Sequence, residues 1–158
     1  MLNGKPARTL VIGIGNPLQS DDGLGVQASL MLEKESLPRN VQVEELGTPG
    51  WGLLARMDGW PRVYVIDAVR MGMKPGTWQR INQDEMRLVS EAGPVSLHET
   101  GLAESLELAS TLGIMPEEFV LYGVEPAVIE PGEDLSPAVL QVLPDLVEHI
   151  VEDLWKGI

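Results

Sequence analysis

Two short apolar runs constrain the fold of this chain more than any other feature of its sequence. Thr9–Ile14 and Val63–Ile66 are nearly continuous apolar segments with few polar positions. Runs of this kind are typical of strands buried on both faces of a mostly parallel sheet. Apolar residues at helical spacing lie between such runs along the chain, and this alternation favours an α/β fold.

Three further segments have the character of strands. Val41–Leu46 and Phe119–Val124 predict two more members of the sheet. Thr77–Ile81 follows a turn-like Lys-Pro-Gly sequence and is bounded by Asn82, so we expect an edge or antiparallel strand there.

Three segments predict helices that pack on this sheet. Two stripes have helical spacing, formed by Leu24, Ala28, Met31 and Leu32 and by Leu102, Leu106, Ala109 and Leu112. A third helix begins with Ser136 as its N-cap and Pro137 at its first position. Pro144 is expected to kink or split that helix, because proline removes a helical hydrogen bond.

Length and charge exclude several classes of protein. The 158 residues contain no repeat or long linker, so we expect residues 1–158 to form a single domain. The net charge of −13 opposes binding to nucleic acid, and no apolar run approaches the roughly 20 residues of a membrane span. The absence of cysteine excludes disulfides, thiolate metal sites and a cysteine nucleophile, and it fits a cytoplasmic protein. We expect a monomer.

The loop after the first strand is rich in glycine but is a poor nucleotide site. A GxGxxG pattern that begins at Gly13 requires glycine where Leu18 stands. Asp21 and Asp22 would also repel a phosphate at the entrance of the following helix. The sequence therefore disfavours dinucleotide binding.

Two acidic positions are candidates for a site at the carboxyl ends of the strands. Asp22 either lies above the strand ends, where open α/β sheets bind ligands, or serves with Asp21 to cap and stabilise the next helix. Asp67 directly follows a buried strand and opens onto the same crevice. A structural role for Asp67 in the loop is the alternative.

Of the two histidines, His98 is the better candidate ligand. His149 lies on the polar side of the last helix, beside acidic residues, whereas His98 lies in a loop ahead of a helix. A zinc peptidase of the HExxH type is excluded, because no histidine follows Glu99 at the required spacing. Asp22, Asp67 and His98 remain as a set of two carboxylates and one imidazole that could bind a divalent ion with open positions.

Five segments of the chain occur in a characteristic order and together resemble the hydrogenase maturation endopeptidases. They are GIGNPLQSDDGLGV at 13–26, GTPGWGLL at 47–54, VIDAV at 65–69, SLHETGLAESL at 96–106 and GVEPAVIEPGEDLSPAV at 123–139. The resemblance implies a three-layer α/β/α sandwich around a mostly parallel, twisted sheet of about five strands. It also implies an endopeptidase of the aspartyl type that cuts near the C-terminus of a nickel-iron hydrogenase large-subunit precursor. The cut removes a C-terminal extension after nickel has been inserted.

In this family, a metal-contacting triad consists of an acid in the first loop, an aspartate after the third strand and a histidine before a later helix. Matched by position, these residues are Asp22, Asp67 and His98, and the nickel is supplied by the precursor rather than held permanently. Two positions depart from the family pattern. Many relatives have glutamate where Asp22 stands, and an aspartate near the end of the second strand is replaced here by Glu45, whose role stays open.

The glycine-rich loop at 47–52 is expected to border the site and to contact the precursor. Its glycines permit close approach of another chain, and we predict Gly47, Thr48 and Trp51 as substrate-binding residues. Burial of Trp51 in the core is the alternative for that side chain.

The mechanism predicted from the sequence is attack by water. No cysteine and no recognisable Ser/His/Asp arrangement offers a nucleophile, so Asp22 or Asp67 would serve as general base. Nickel would either polarise the scissile segment or serve only for recognition. Two other functions remain open: a non-catalytic protein that checks the nickel site of the same precursor, and a peptidyl-tRNA hydrolase, which shares a GxGNP sequence but is opposed by the charge of −13.

Overall fold

The computed structural model describes residues 6–86 and 101–157. Within these ranges, five strands form one sheet in the order β2-β1-β3-β5-β4. Strands β2, β1, β3 and β5 run parallel to one another, and β4 runs antiparallel to β5 at the edge of the sheet. The strands are β1 (Thr9–Ile14), β2 (Val41–Leu46), β3 (Arg62–Ala68), β4 (Trp78–Asn82) and β5 (Glu118–Val124). All five strands predicted from the sequence are confirmed, including the antiparallel edge strand.

Helices cover both faces of the sheet. They are α1 (Leu24–Leu32), α2 (Trp51–Met57), α3 (Leu102–Leu112) and α4 (Pro137–Lys156), and a 3-10 turn at Ser20–Gly23 precedes α1. The apolar sides of α2 and α3 pack on one face of the sheet, and those of α1 and α4 pack on the other. The mixed, mostly parallel sheet between two helical layers confirms the predicted three-layer α/β/α architecture. No helix of the described ranges combines the length and apolar character that crossing a bilayer requires.

Two details of the helices differ from the sequence prediction. Leu112 is 52% exposed, because it is the last residue of α3 and Gly113 ends the helix in the left-handed conformation. Pro144 does not split α4, which continues through it as one helix of 20 residues. The hydrogen bond that proline removes would join residues 140 and 144, and both lie on the exposed side of the helix. The predicted N-cap at Ser136 is confirmed by its bond from the Val139 amide.

The start of α1 lies very close to the sheet because Gly25 has no side chain. A Cβ at this position would lie 2.4 Å from the carbonyl oxygens of both Ile14 and Ile66. Only glycine therefore allows α1 to begin directly over the ends of β1 and β3, where the candidate acids are.

We expect Gly25→Ala to destabilise the fold by about 1–3 kcal/mol, as overpacking of a close-packed interior does. The added methyl group meets backbone atoms that cannot rotate away. Urea denaturation measures the effect. Gly47→Ala is the matched control, because a Cβ there meets no atom of the described chain within 4 Å. Equal stability of the two variants would contradict the close packing of α1.

Candidate functional site

The candidate site lies at the edge of the sheet where the parallel strands end, which we call the carboxyl edge. The pairing aligns the last residues of β1 and β2, Ile14 and Leu46, and the last residues of β3 and β5, Ala68 and Val124. Open α/β sheets bind ligands outside the carboxyl ends of their strands. Three loops with unusual sequence features leave this edge: those after β1, β2 and β5.

The loop after β1 holds Asp22 in place above the strand end. The Asn16 amide donates a hydrogen bond to Asp22 Oδ2 over 2.8 Å. Gly15 adopts a φ of +137°, and a Cβ there would lie 1.8 Å from the Asp22 carbonyl oxygen. Glycine is therefore required for the loop to close around Asp22.

The interpretation of Asp21 and Asp22 as helix caps is wrong. The N-cap of α1 is Gly23, and the N-cap of the 3-10 turn is Gln19; neither makes a side-chain capping bond. The Asp22 carboxylate is bonded to the preceding loop instead and is only half-buried. It is therefore available to a ligand at the carboxyl edge.

Asp67 is the most unusual ionisable residue of the described chain. It lies on β3 in alternation with Val63 and Val65, so its side chain is on the face covered by α2 and α3. Its side chain is almost fully buried, yet Asp67 Oδ2 has no hydrogen-bond partner among the described residues. Buried polar atoms are almost always paired, so this oxygen indicates an incomplete site.

Burial and a neighbouring charge raise the pKa of Asp67 well above its usual value. Burial is the larger cause, because it disfavours the charged carboxylate, and the charge of Asp22 acts in the same direction. A hydrogen bond with the Ala68 backbone lowers the pKa but does not offset these two effects. The structure thus brings Asp22 and Asp67 together, as the sequence predicted.

Asp22 and Asp67 are the two members of the predicted triad that lie in the described ranges. His98 lies outside the described residues, so its predicted place beside the two acids stays a prediction. Among the described residues alone, no group of three or more histidine or acidic side chains could hold a metal ion. Two carboxylates, one of them with an unpaired oxygen, suit a divalent cation that brings most of its own ligands.

Asp21, next to Asp22, has a different environment and the opposite pKa shift. Its carboxylate is completely buried and accepts hydrogen bonds from the segment between β5 and α4. Burial tends to raise the pKa of Asp21, but hydrogen bonds from Ser136, Val128 and Ala127 outweigh it and the pKa is lowered. The sequence offered no local signal for these contacts, because the partners are 106 to 115 residues away.

The loop after β2 lies beside the start of α3. The Gly50 amide donates a hydrogen bond to Ser105 Oγ over 2.8 Å, and the position of a Cβ on Gly101 would be 3.4 Å from Pro49 Cγ. A groove of about 350 Å³ opens between this loop, α2 and α3. It includes Thr48 and the side chains of Trp51, Leu54 and Leu108.

Trp51 does not belong to the core, so the alternative prediction for this residue is wrong. Its side chain is 73% exposed at the first position of α2. The backbone places it at a helix start that follows Gly50, whose φ is +100°. The exposed indole borders the groove between α2 and α3, so it is accessible to another chain there.

Two other residues raised by the sequence are exposed to solvent. Glu45 is exposed near the end of the edge strand β2, where it pairs with Gly13 of β1, and its side chain makes no hydrogen bond or ion pair within the described ranges. His149 is exposed on α4, where its ring packs against Trp78 with 5.0 Å between centroids. The role of Glu45 stays open, and the assignment of His149 to a solvated helix face is confirmed.

Comparison with known proteins gives a consistent result. The sequence pattern of the hydrogenase maturation protease family matches residues 26–153. The hydrogenase expression/formation protein HupD of Rhodobacter capsulatus is 36% identical over 152 residues, which cover 95% of this chain and 72% of that protein. The hydrogenase 2 maturation protease of Escherichia coli K12 is 32% identical, with 95% of this chain and 92% of that protein covered.

The fold matches solved structures of the same family. The hydrogenase maturating endopeptidase HybD from E. coli superimposes with a TM-score of 0.82 at 30% identity, and the match covers 95% of this chain and 93% of that chain. The [NiFe] hydrogenase maturation protease HybD from Thermococcus kodakarensis gives a TM-score of 0.76 at 27% identity, covering 93% and 99%.

An α/β/α fold with paired acids at the carboxyl edge of its sheet, matched to these relatives, defines a peptide-bond hydrolase. The chain belongs to the hydrogenase maturation protease family. The resemblance seen in the sequence is thereby confirmed, and so is the prediction of an endopeptidase that acts in hydrogenase maturation.

Proposed function

We propose that this protease removes the C-terminal extension of a nickel-iron hydrogenase large-subunit precursor after nickel insertion, and that it recognises the nickel held by the precursor. The observation that carries the proposal is the buried Asp67 oxygen that has no partner among the described residues and lies beside the carboxylate of Asp22. Because a buried polar atom without a partner is costly, we infer that a positive ligand of the substrate would complete the site. Asp22, Asp67 and the undescribed His98 would contact the nickel as the ligands of a borderline divalent ion.

The two acids also supply the chemistry of an aspartyl-type endopeptidase. Asp22 is the better placed general base, because its carboxylate is half-buried and accessible to a water molecule. Burial raises the pKa of Asp67 and so favours its protonated form, whereas an approaching cation would favour the carboxylate. Under this proposal, Asp67 anchors the metal of the substrate while Asp22 activates the attacking water.

The groove beside Trp51 is the proposed path of the precursor tail. Asp67 projects to the face of the sheet that α2 and α3 cover, and the groove lies between these two helices. The loop after β2 is joined to the loop of Asp22 by a hydrogen bond from the Gly15 amide to the Leu46 carbonyl. We therefore propose that Gly47, Thr48 and Trp51 bind the extended chain next to the acids.

Trp51→Ala is expected to reduce processing while it leaves stability within about 0.5 kcal/mol of the wild type, as exposed substitutions do. The exposed indole contributes contact area to the precursor and little to the core. Initial rates of cleavage and thermal melts measure the two effects. Trp155→Ala is the control, because this half-exposed tryptophan lies on α4 and bonds to the Ser36 carbonyl instead. Full processing by Trp51→Ala would remove the side chain from the substrate contacts.

The experiment that tests the proposed reaction is incubation of the purified protein with nickel-loaded precursor, followed by mass measurement of the product. A precursor shortened at its C-terminus supports the proposal. Stable binding without any shortening would instead support the non-catalytic checking protein. The cytoplasmic location and the monomeric state stay predictions from the sequence.

A further inference from the structure

Asp21 joins three separated parts of the chain through one buried carboxylate. Its Oδ2 accepts hydrogen bonds from the amides of Ala127 and Val128, at 2.8 and 3.0 Å, and from the Ser136 hydroxyl at 2.8 Å. Its Oδ1 accepts a bond from the Ser136 amide at 2.7 Å. Ser136 is also the N-cap of α4, so the carboxylate ties the loop after β1 to the start of a 20-residue helix.

Backbone contacts around Asp21 hold the same two segments together. The Ser20 amide donates to the Gly132 carbonyl at 2.8 Å, and the Gly132 amide donates to the Leu18 carbonyl at 2.9 Å. The Asp21 amide donates to the Val128 carbonyl at 3.1 Å. The segment 127–136, which we call the strap, therefore lies along the loop that carries Asp22.

The loop is held in an unfavourable conformation at Ser20. This residue has a φ of +52°, and within the described ranges it is the only residue other than glycine with a positive φ. The conformation is costly for a residue with a side chain, and it persists because the surrounding bonds determine it. The Ser20 hydroxyl donates to the Glu130 carbonyl of the strap at 2.9 Å, which is one of those bonds.

We propose that Asp21 is a positioning residue for the reaction: by anchoring the 3-10 turn to the strap, it sets the place of the Asp22 carboxylate relative to Asp67. The two residues are adjacent in one short turn, so Asp22 cannot keep its place if the turn moves. The bond from the Asn16 amide alone does not fix it, because Asn16 belongs to the same loop. Asp21 thus acts through Asp22 and does not touch the substrate. This inference rests on the proposed function, since it requires Asp22 to be a working acid.

The test separates positioning from general stability. Asp21→Asn keeps the shape of the side chain but sets an amide against donors, so at least one of the strap bonds is lost. We expect kcat for nickel-loaded precursor to fall by about 100-fold with KM little changed, because misplacement of a reacting group by 1 Å has that effect. The assay is run well below the melting temperature of the variant.

Two further variants keep the test decisive. Ser136→Ala removes the hydroxyl bond to Asp21 together with the N-cap bond from Val139, and it leaves the other three bonds to the Asp21 carboxylate. It should therefore give a smaller fall in kcat, which can be measured even if Asp21→Asn does not fold. Tyr122→Phe is the matched control for stability, because it loses a partly buried hydrogen bond to Asp153 of α4, on the face of the sheet that α1 and α4 cover. It should lower the melting temperature and leave kcat unchanged.

The outcomes distinguish this inference from the proposed function. If Asp21→Asn folds and keeps the kcat of the wild type while Asp22→Asn is inactive, the positioning role alone is overturned. If Asp21→Asn does not fold, a wild-type kcat in Ser136→Ala overturns the positioning role in the same way. Full activity of Asp22→Asn would overturn the role of Asp22 as a working acid, and the positioning role with it, whereas absence of any shortening of the precursor by the wild type would overturn the proposed function. A fall in kcat for Asp21→Asn and Ser136→Ala, absent in Tyr122→Phe, supports the inference.

Discussion

Replacement of Asp67 by asparagine should abolish processing and, at the same time, stabilise the folded protein at neutral pH. Processing should fall by roughly 10²-fold or more, because the variant loses the carboxylate that pairs with the substrate's metal, and loss of one member of a buried charge pair costs about 2–5 kcal/mol. Stability should rise by about 1–3 kcal/mol, because the variant no longer buries an ionisable group that lacks a partner. Opposite changes in activity and stability are typical of residues kept for function.

The pH dependence of this effect has a definite sign. The pKa of Asp67 is higher in the folded than in the unfolded chain, so its contribution to stability is fully present below the unfolded pKa of about 4. That contribution is lost as the pH rises through the folded pKa. Asp67→Asn has no such loss, so its advantage in melting temperature over the wild type should grow from acidic to neutral pH.

Melting curves between acidic and neutral pH, with cleavage assays at neutral pH, measure both parts of the prediction. Asp21→Asn is the informative comparison, because the pKa of Asp21 is lowered. Its carboxylate stabilises the fold above the unfolded pKa, and this effect disappears as the pH falls through the folded pKa. At neutral pH, Asp67→Asn should therefore raise the free energy of unfolding, whereas Asp21→Asn should lower it. An Asp67→Asn protein that is less stable than the wild type at neutral pH would show that the buried oxygen has a partner.

A precursor without nickel should not be cut, whereas the same precursor loaded with nickel should be processed to completion. When the metal is missing, Asp22 and the Asp67 oxygen that no described residue contacts would lack the positive ligand that links protease and substrate. We expect a rate difference of at least about 100-fold, equivalent to about 2.7 kcal/mol of lost interaction in the transition state. Gel separation of the precursor and its shortened product measures this difference.

Asp22→Asn and Asp67→Asn provide the controls for metal recognition. Both variants should process loaded and metal-free precursor equally poorly, since neither retains the pair of carboxylates. Equal cleavage of loaded and metal-free precursor by the wild type would show that the two acids recognise something other than nickel.

The strands and the place of the two acids could be predicted from the sequence because local composition decides them. Thr9–Ile14 and Val63–Ile66 are apolar over their whole length, and such strands are stable only when a sheet buries both faces. Once the strands run parallel, the residues that follow them meet at one edge, and Asp22 and Asp67 come together there.

Local pattern was insufficient where distant parts of the chain meet. Asp21 was interpreted as a helix cap because it precedes a helix, but its carboxylate bonds to Ser136, which is 115 residues further along. Trp51 could be core or surface by composition, and the packing of α2 left it exposed. Pro144 lies within a continuous helix because its side of α4 faces away from the core.

The sequence by itself determined the layered α/β architecture, the family resemblance and the two acids at the carboxyl edge, because periodicity, turn residues and motif order are properties of neighbouring residues. Only the tertiary structure decided the direction of each pKa shift, which is downward for Asp21 and upward for Asp67. Asp21 and Asp67 are both buried aspartates, but one accepts four hydrogen bonds and the other has an unpaired oxygen beside a like charge. The pKa of a carboxyl group depends on the donors, charges and solvent around it, and folding brings these from distant segments.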